Sequence, residues 1–193
     1  MLPFWPIAPG EASRKAALVD AAIAAVGRSG TGDVTVAAIA REAGMSPALA
    51  HHYFGSKSQM LTAAMRHILA TYGAKVRAAL AEAPPDARAE AIVAASLSAD
   101  HFDHDTIAAW LNFYPLAVTE PEAARLLAVY HRRLRTNLTH ALRPRAGADA
   151  PRLAETLGAL IDGVYLRAVV DARGPSPDAA HAMVRRWLED ALR

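Results

Sequence analysis

No cysteine occurs among the 193 residues, so neither a disulfide frame nor thiolate chemistry is available. That fits a reducing compartment, and a cytoplasmic location is expected. No stretch reaches about 18 uninterrupted apolar residues, because Arg, Asp or Glu breaks every helical pattern, so a membrane span is not expected. The segment MLPFWPIAPG is apolar but carries three prolines and lacks a basic start, and it reads as an arm rather than a signal peptide. Runs of alternating β-branched residues are missing, which argues against a sheet. Charge of one sign is scarce as well: a net charge of +2 and a pI near 9.1 permit nucleic-acid binding without demanding it. There is no phosphate-cradling glycine loop, no nucleophile elbow and no spaced Ser/His/Asp set, so neither an enzyme nor a cofactor is expected.

What is present is alanine, leucine and helix punctuation, with 53% of residues apolar. The pattern predicts an all-α protein of about nine helices. Ser13 caps the first, which runs through Leu18, Ala22, Ile23 and Val26 until GRSGTG stops it. Thr35 caps a short helix ending at Gly44, and Ser46 caps another, with Pro47 in its first turn, ending near Phe54. Ser56 and Gln59 have capping-box spacing and open a long helix to about Glu82, where APPDA breaks the chain. Asp86 is expected to start the next helix. Others are expected over Thr106 to Val118 with Asp105 as cap, Pro121 to Leu142, Pro151 to Asp171, and Pro177 to Leu192. Residues 11–57 read as one domain and 58–193 as a second.

The two short helices on either side of AGMS have the form of a helix-turn-helix, in which Gly44 accepts the turn geometry. Val36, Ile39, Ala40 and Ala43 would pack inward with Leu49, leaving Pro47, Ala48, His51 and His52 for solvent or a major groove. A plain helical hairpin would carry the same turn. The residues that follow favour DNA: the order Gly44, Met45, Ser46, His52, Tyr53, Phe54, Lys57, Met60, Leu61 resembles the N-terminal pattern of the TetR family of repressors. That resemblance implies a DNA-binding domain of three helices on a connecting fourth, followed by a divergent helical domain that binds a ligand and dimerises. On the matching positions it implies phosphate contacts from Thr35, Tyr53 and Lys57, and base-edge positions for Ser46, Pro47, Ala48, His51 and His52. His51 stands where many relatives have tyrosine. Phe54 is expected in the core.

Farther on, MRHILA, WLNFY, RRLRTNL and LGALIDGVYLRAVV resemble the BetI group within that family, choline-responsive repressors of glycine-betaine synthesis genes. The resemblance implies choline as the small-molecule effector, double-stranded operator DNA as partner, and a homodimer through the last two helices. The residues suit such a ligand. Trp110, Phe113 and Tyr114 share a face of one helix, and Asp162 and Tyr165 with Ile161 share a face of another. Rings beside a carboxylate hold a quaternary ammonium by cation–π attraction of about 0.5–2 kcal/mol per ring. The same rings could be core packing, Asp162 could be answered by Arg167 or a backbone donor, and an aromatic pocket also accepts other lipophilic or cationic molecules.

Two further features have other readings. HFDHD, from His101 to Asp105, has metal-ligating side chains but sits at a helix junction, where such loops are usually solvated; no metal is expected. Tyr130, His131, Arg132, Arg133 and Arg135 form a basic run that is either a second nucleic-acid surface or a solvated face. Apolar stripes of Leu153, Leu157, Leu160, Ile161 and Val164, and of Met183, Val184, Trp187 and Leu188, are expected to pair with their two-fold mates. The helix from Ser56 to Glu82 is expected to join the domains as a lever, with Gly73 as a flexible point or a close-packing site.

Overall fold

The computed structural model describes residues 10–29, 34–171 and 176–193, with only the backbone at 29 and 169. Most of the expected N-terminal arm, and Gly30 and Gly32 of the expected stop signal, lie outside the described residues. Among these residues there are nine α-helices, one 3-10 turn and no strand. The helices are α1 (Glu11–Ser29), α2 (Val36–Glu42), α3 (Pro47–Phe54), α4 (Lys57–Glu82), α5 (Arg88–Ser96), α6 (His104–Thr119), α7 (Pro121–Ala146), α8 (Ala150–Val170) and α9 (Pro177–Ala191).

Local chemistry sets most of these limits. Thr35 accepts from the Ala38 N–H at 3.1 Å and Ser46 from that of Leu49 at 3.2 Å, each answering a first-turn donor that the helix leaves unpaired. Between them Gly44 turns the chain at φ 67°, a left-handed conformation that a side chain disfavours. Ser56 and Gln59 cap reciprocally: Gln59 N–H donates to Ser56 Oγ at 3.2 Å, and Ser56 N–H to Gln59 Oε1 at 3.0 Å.

Four boundaries differ from expectation. The first helix begins at Glu11, two residues before Ser13. The fifth starts at Arg88 rather than Asp86, because residues 84–87 first close a turn with Ala87 N–H on the Pro84 carbonyl. The cap of α6 is Asp103, not Asp105: its Oδ1 accepts the N–H groups of both Asp105 and Thr106, at 2.9 and 3.0 Å. The seventh helix runs one turn past Leu142, through Pro144, until Gly147 stops it at φ 53°.

Two apolar clusters result. Leu18, Ala22, Ile39, Ala40, Ala50 and Met60 bring α1 to α4 together. A larger cluster joins α4 to α9 around Ile92, Phe102, Ile107, Leu138, Leu157 and Val184. Each such aliphatic side chain, fully buried, contributes about 1.5–3 kcal/mol. Helix α6 belongs to both, giving Ala108 to the first and Ile107, Trp110 and Phe113 to the second. The long α4 is therefore not alone in linking the two halves. Its Gly73 is half-buried inside a continuous helix, and only the end of the Arg77 side chain, 3.4 Å away, comes near where a β-carbon would stand.

The stripes expected to pair between subunits are largely spent inside the protomer. Leu153, Leu157, Ile161 and Val164 on α8, and Val184 and Leu188 on α9, are buried in the larger cluster. Leu166 and Val170 of α8 and Met183 of α9 stay outside, 58%, 78% and 48% exposed. An amphipathic helix spends its strongest stripe on its own core first.

Candidate functional site

Two separate surfaces hold the residues singled out from sequence. The first lies on α2, α3 and the start of α4. Ala50 is fully buried and Tyr53 and Phe54 pack half-buried beside it, so α3 turns its other flank outward. Ser46, Pro47, Ala48, His51 and His52 are exposed on that flank, with Thr35 exposed at the neighbouring cap, while Lys57 is half-buried at the start of α4. His51 Nδ1 lies 2.7 Å from the Gly55 carbonyl, which can only accept. The ring must therefore donate through Nδ1, and in its neutral form it offers Nε2 as an acceptor. The Lys15 ammonium sits 5.6 Å from the centre of the Tyr53 ring.

None of α2, α3 and α4 has an acid in its first turn, and neither has α8, whereas α1, α5, α6, α7 and α9 each have one. The partial positive charge at the N-termini of α2, α3 and α4 therefore meets no carboxylate from its own first turn. Hydroxyl caps, uncompensated helix ends and an outward α3 make a surface suited to a phosphate backbone, with small and imidazole side chains at groove depth.

The second surface is a cavity of about 580 Å³ between α4, α6, α7 and α8. Trp110, Tyr114, Asp162 and Tyr165 line it together, as the sequence suggested; Phe113 does not. Phe113 is 2% exposed and faces α1 and α4, against Ala22, Val26, Leu61 and Met65. Because α6 lies between the two clusters, one turn of it serves both, and adjacent residues part company.

Tyr72, Ser96 and Tyr130 complete the wall, and sequence reasoning missed all three. Tyr130 was grouped with the basic run, yet Tyr130, Leu134 and Leu138 stand at i, i+4 and i+8 and are all buried. That spacing was the available signal. Arg132, Arg133 and Arg135 of the run are exposed, and Arg135 pairs with Glu155 at 3.5 Å, which is a solvated face. Beside it an open groove of about 740 Å³ follows α7 and α8 and meets the cavity at Ala159 and Asp162. Its walls are mixed, with Arg132, Arg135, Arg143 and Glu155 among apolar residues, and it has no Trp, Tyr or Phe.

The hydroxyls of Ser96, Tyr72, Tyr165 and Tyr130 are already committed. Ser96 Oγ donates to the Ile92 carbonyl at 2.8 Å, so the Tyr72 hydroxyl, 3.1 Å away, must donate to Ser96. Tyr165 donates to the carbonyls of Ser96 and His101, at 2.5 and 3.2 Å. Tyr130 donates to Asp162 Oδ1 at 3.4 Å, and the Tyr114 phenol feels the same carboxylate. What remains for a ligand is ring surface. Trp110 lies 4.8 Å from Tyr130, 6.1 Å from Tyr114 and 6.3 Å from Tyr165, centre to centre.

Burial first, and the Asp162 charge after it, pushes the phenols of Tyr114 and Tyr130 up, and burial lifts Tyr72 to about 12. All remain neutral near pH 7. His131 Nε2 stands 3.4 Å from Asp162 Oδ2 at the rim, and Arg167 is not among the partners of Asp162. The site is thus a set of neutral rings with one carboxylate.

The histidines of HFDHD separate. His101 is buried and stacks on Tyr72 at 5.6 Å, while His104 is exposed beside Asp105. Among the described residues no group of three His, Cys, Asp or Glu side chains is placed to hold a metal ion. No helix among them is long and apolar enough to cross a membrane.

Comparison with known proteins bears on both surfaces. Residues 18–64 match the family described as bacterial regulatory proteins, tetR family, and residues 85–193 match the BetI-type transcriptional repressor, C-terminal domain. The chain is 47% identical over 180 residues to the HTH-type transcriptional regulator BetI of Brucella melitensis biotype 2, spanning 92% of this chain and 91% of that one. Against the BetI of Rhizobium meliloti the identity is 45% over 185 residues, spanning 95% and 91%. A solved protein from Pseudomonas aeruginosa PAO1 shares the fold at a TM-score of 0.77 and 27% identity, over 95% of this chain and 92% of that one. Another, from Saccharomonospora viridis in complex with choline, does so at 0.78 and 23% identity, over 93% and 97%.

Proposed function

The chain belongs to the TetR family of transcriptional repressors and carries a BetI-type C-terminal domain, and from that premise we propose that choline is its effector and that it controls choline-to-glycine-betaine genes. It is not an enzyme: its relatives are transcriptional regulators. The observation that carries the choline reading is the cavity in which the hydroxyls of Tyr72, Tyr130 and Tyr165 each have a protein partner. A quaternary ammonium cannot donate a hydrogen bond, so it loses nothing against such walls. It gains ring faces from Trp110, Tyr114, Tyr130 and Tyr165, and the Asp162 carboxylate as counter-charge. The S. viridis protein, of the same fold, was solved with choline.

The proposed reading heads are the outward flanks of α3. Ser46, Pro47, Ala48, His51 and His52 meet base edges, and Thr35, Tyr53 and Lys57 meet phosphates. Two copies joined through α8 and α9 place two such heads on a palindromic operator with half-sites about one helical turn apart. The domains proposed are residues 11–57 for DNA and 58–193 for ligand and dimer, working in the cytoplasm. A ligand held between α4, α6, α7 and α8 acts by favouring one spacing of the heads, which requires a coupling of about 1–3 kcal/mol between the sites.

A second reading rests on size. A cavity of about 580 Å³ exceeds what one trimethylammonium group fills, so a larger lipophilic or cationic molecule is the alternative effector. Fluorescence anisotropy on duplex DNA from upstream of the protein's own gene, titrated with choline and then betaine at fixed salt, separates the two. Operator binding weakened by choline alone supports the reading. Tight binding indifferent to choline, with no heat of choline binding in calorimetry, leaves a repressor of another effector.

A further inference from the structure

Arg88 is the first residue of α5, and its Nε is buried without a hydrogen-bond partner among the described residues. A guanidinium donor taken out of water and left unanswered is destabilising, so the group calls for an acceptor. Arg88 stands on the wall of a pocket of about 240 Å³ between the start of α5 and the end of α7, with His140 and Arg143. Pro85 and Pro144 complete the wall, and no carboxylate is on it. Neither proline has an N–H, so the side-chain donors of the pocket are two guanidiniums and one imidazole. His140 and Arg143 also line the long groove along α7 and α8, so pocket and groove meet there, beside Thr136 and Thr139.

The pocket is remote from the surface of α2 and α3. Arg66 pairs with Glu122, and the Tyr72 and Tyr130 rings meet at 6.0 Å, so α4 and α7 run side by side in the same direction. The 26 residues of α4 span about 39 Å at helical rise, with α3 just before its start and α5 after its end. Arg88, His140 and Arg143 therefore lie at the far end of the molecule, where phosphates of DNA held on α3 do not reach. None of the three lines the aromatic cavity either. We propose that Arg88, His140 and Arg143 bind a phosphate group, free or at the end of a small phosphomonoester, at a site separate from both surfaces described above. A carboxylate offers one edge to one guanidinium fork, whereas a phosphate presents several edges and can take both forks and the imidazole. The groove beyond the pocket has room for an organic remainder. A phosphate held there ties the start of α5 to the end of α7.

Calorimetry on the full-length protein tests this, with orthophosphate and then glycerol 3-phosphate as probes at an ionic strength held constant with chloride. Saturable binding is expected, weakened about fivefold or more by Arg143→Gln and by Arg88→Gln. Arg145 shares the last turn of α7 with Arg143 but lines neither pocket nor groove. Arg145→Gln removes the same charge and should leave the affinity within about twofold. Saturating operator duplex should also leave it unchanged. Glycerol 3-phosphate binding tighter than orthophosphate supports an organic phosphate that uses the groove, and equal or weaker binding supports free phosphate. No saturable heat with either probe, an equal loss in Arg145→Gln and Arg143→Gln, or displacement by operator would each overturn the proposal. If Arg88→Gln does not fold, Arg143→Gln decides, because that position is exposed.

Discussion

Gly27 of α1 meets Asp105 of α6 so closely that no side chain fits between them: a β-carbon on Gly27 would lie 1.9 Å from Asp105 Oδ1 and 2.7 Å from its Cβ. Turning the carboxylate aside would relieve the first clash and not the second. Helix α6 continues from this contact to Trp110 and Tyr114 in the cavity, so the end of α1 rests on the element that carries the ligand wall.

Gly27→Ala should therefore force α1 and α6 apart. The expected loss is about 1–3 kcal/mol, as for other overpacked sites, read from urea unfolding. The ratio of operator affinities with and without choline should also change several-fold. Adding Asp105→Gly should recover most of both effects. Stability and ratio both unchanged in the single variant would mean the two helices have slack, and this contact carries no signal.

Asp162→Asn keeps the shape of the cavity and removes its charge. Choline affinity should fall at least tenfold, while 3,3-dimethylbutan-1-ol, its uncharged isostere, should bind within about twofold of its affinity for the unaltered protein. Tenfold corresponds to about 1.4 kcal/mol. Calorimetry with both compounds checks it. Equal losses for the two would mean that Asp162 acts by holding Tyr114 and Tyr130 in place.

Features legible in the sequence were those decided within a few residues of chain. The caps at Thr35 and Ser46, the reciprocal Ser56 and Gln59 pair, the turn at Gly44 and the order Tyr53, Phe54, Lys57 all depend on neighbours close along the chain. The grouping of Trp110, Tyr114, Asp162 and Tyr165 was legible as two helix faces. Their meeting needed the fold. Phe113 stays in the same cluster as Trp110 but turns from the cavity toward α1 and α4, because α6 packs on two sides, which no single-helix pattern encodes. Tyr72 and Tyr130 were hidden because α4 and α7 bury one residue per turn beneath charged faces. The apolar stripes of α8 and α9 were visible but ambiguous: periodicity shows that a face is buried and does not show against what.

On the proposed mode of DNA binding, His51 reads one base in each half-site. With Nδ1 given to the Gly55 carbonyl, its neutral ring presents an acceptor, which matches the amino group of adenine or cytosine in the major groove. His51→Ala should lose about 1–3 kcal/mol on the preferred operator and much less on an operator altered at that one position. The salt dependence should stay the same, because no phosphate contact is removed. Anisotropy on the operator set at two salt concentrations measures this. A uniform loss across all operators would place His51 on the backbone.

His101 sets a pH limit on the cavity. Its ring is 5% exposed, Nε2 has no hydrogen-bond partner, and it stacks on Tyr72. Burial, with the nearby Lys75 charge, holds its ionisation below the ordinary 6.5, while the Asp100 backbone carbonyl and the carboxylates of Asp100 and Asp103 oppose the shift. The native ring is therefore neutral where the unfolded ring already takes a proton. From about pH 6.5 downward the unfolded state binds more protons, so stability falls as the pH falls. Urea midpoints should be nearly level from pH 8 to 7 and decline from about 6.5 to 5, and His101→Gln should make that decline shallower. The His101 carbonyl also receives the Tyr165 hydroxyl, so choline affinity should weaken over the same interval in the unaltered protein and less so in the variant. If His101→Gln declines as steeply as the unaltered protein, the acid sensitivity belongs to other groups, and the stacked imidazole is only a spacer behind Tyr72.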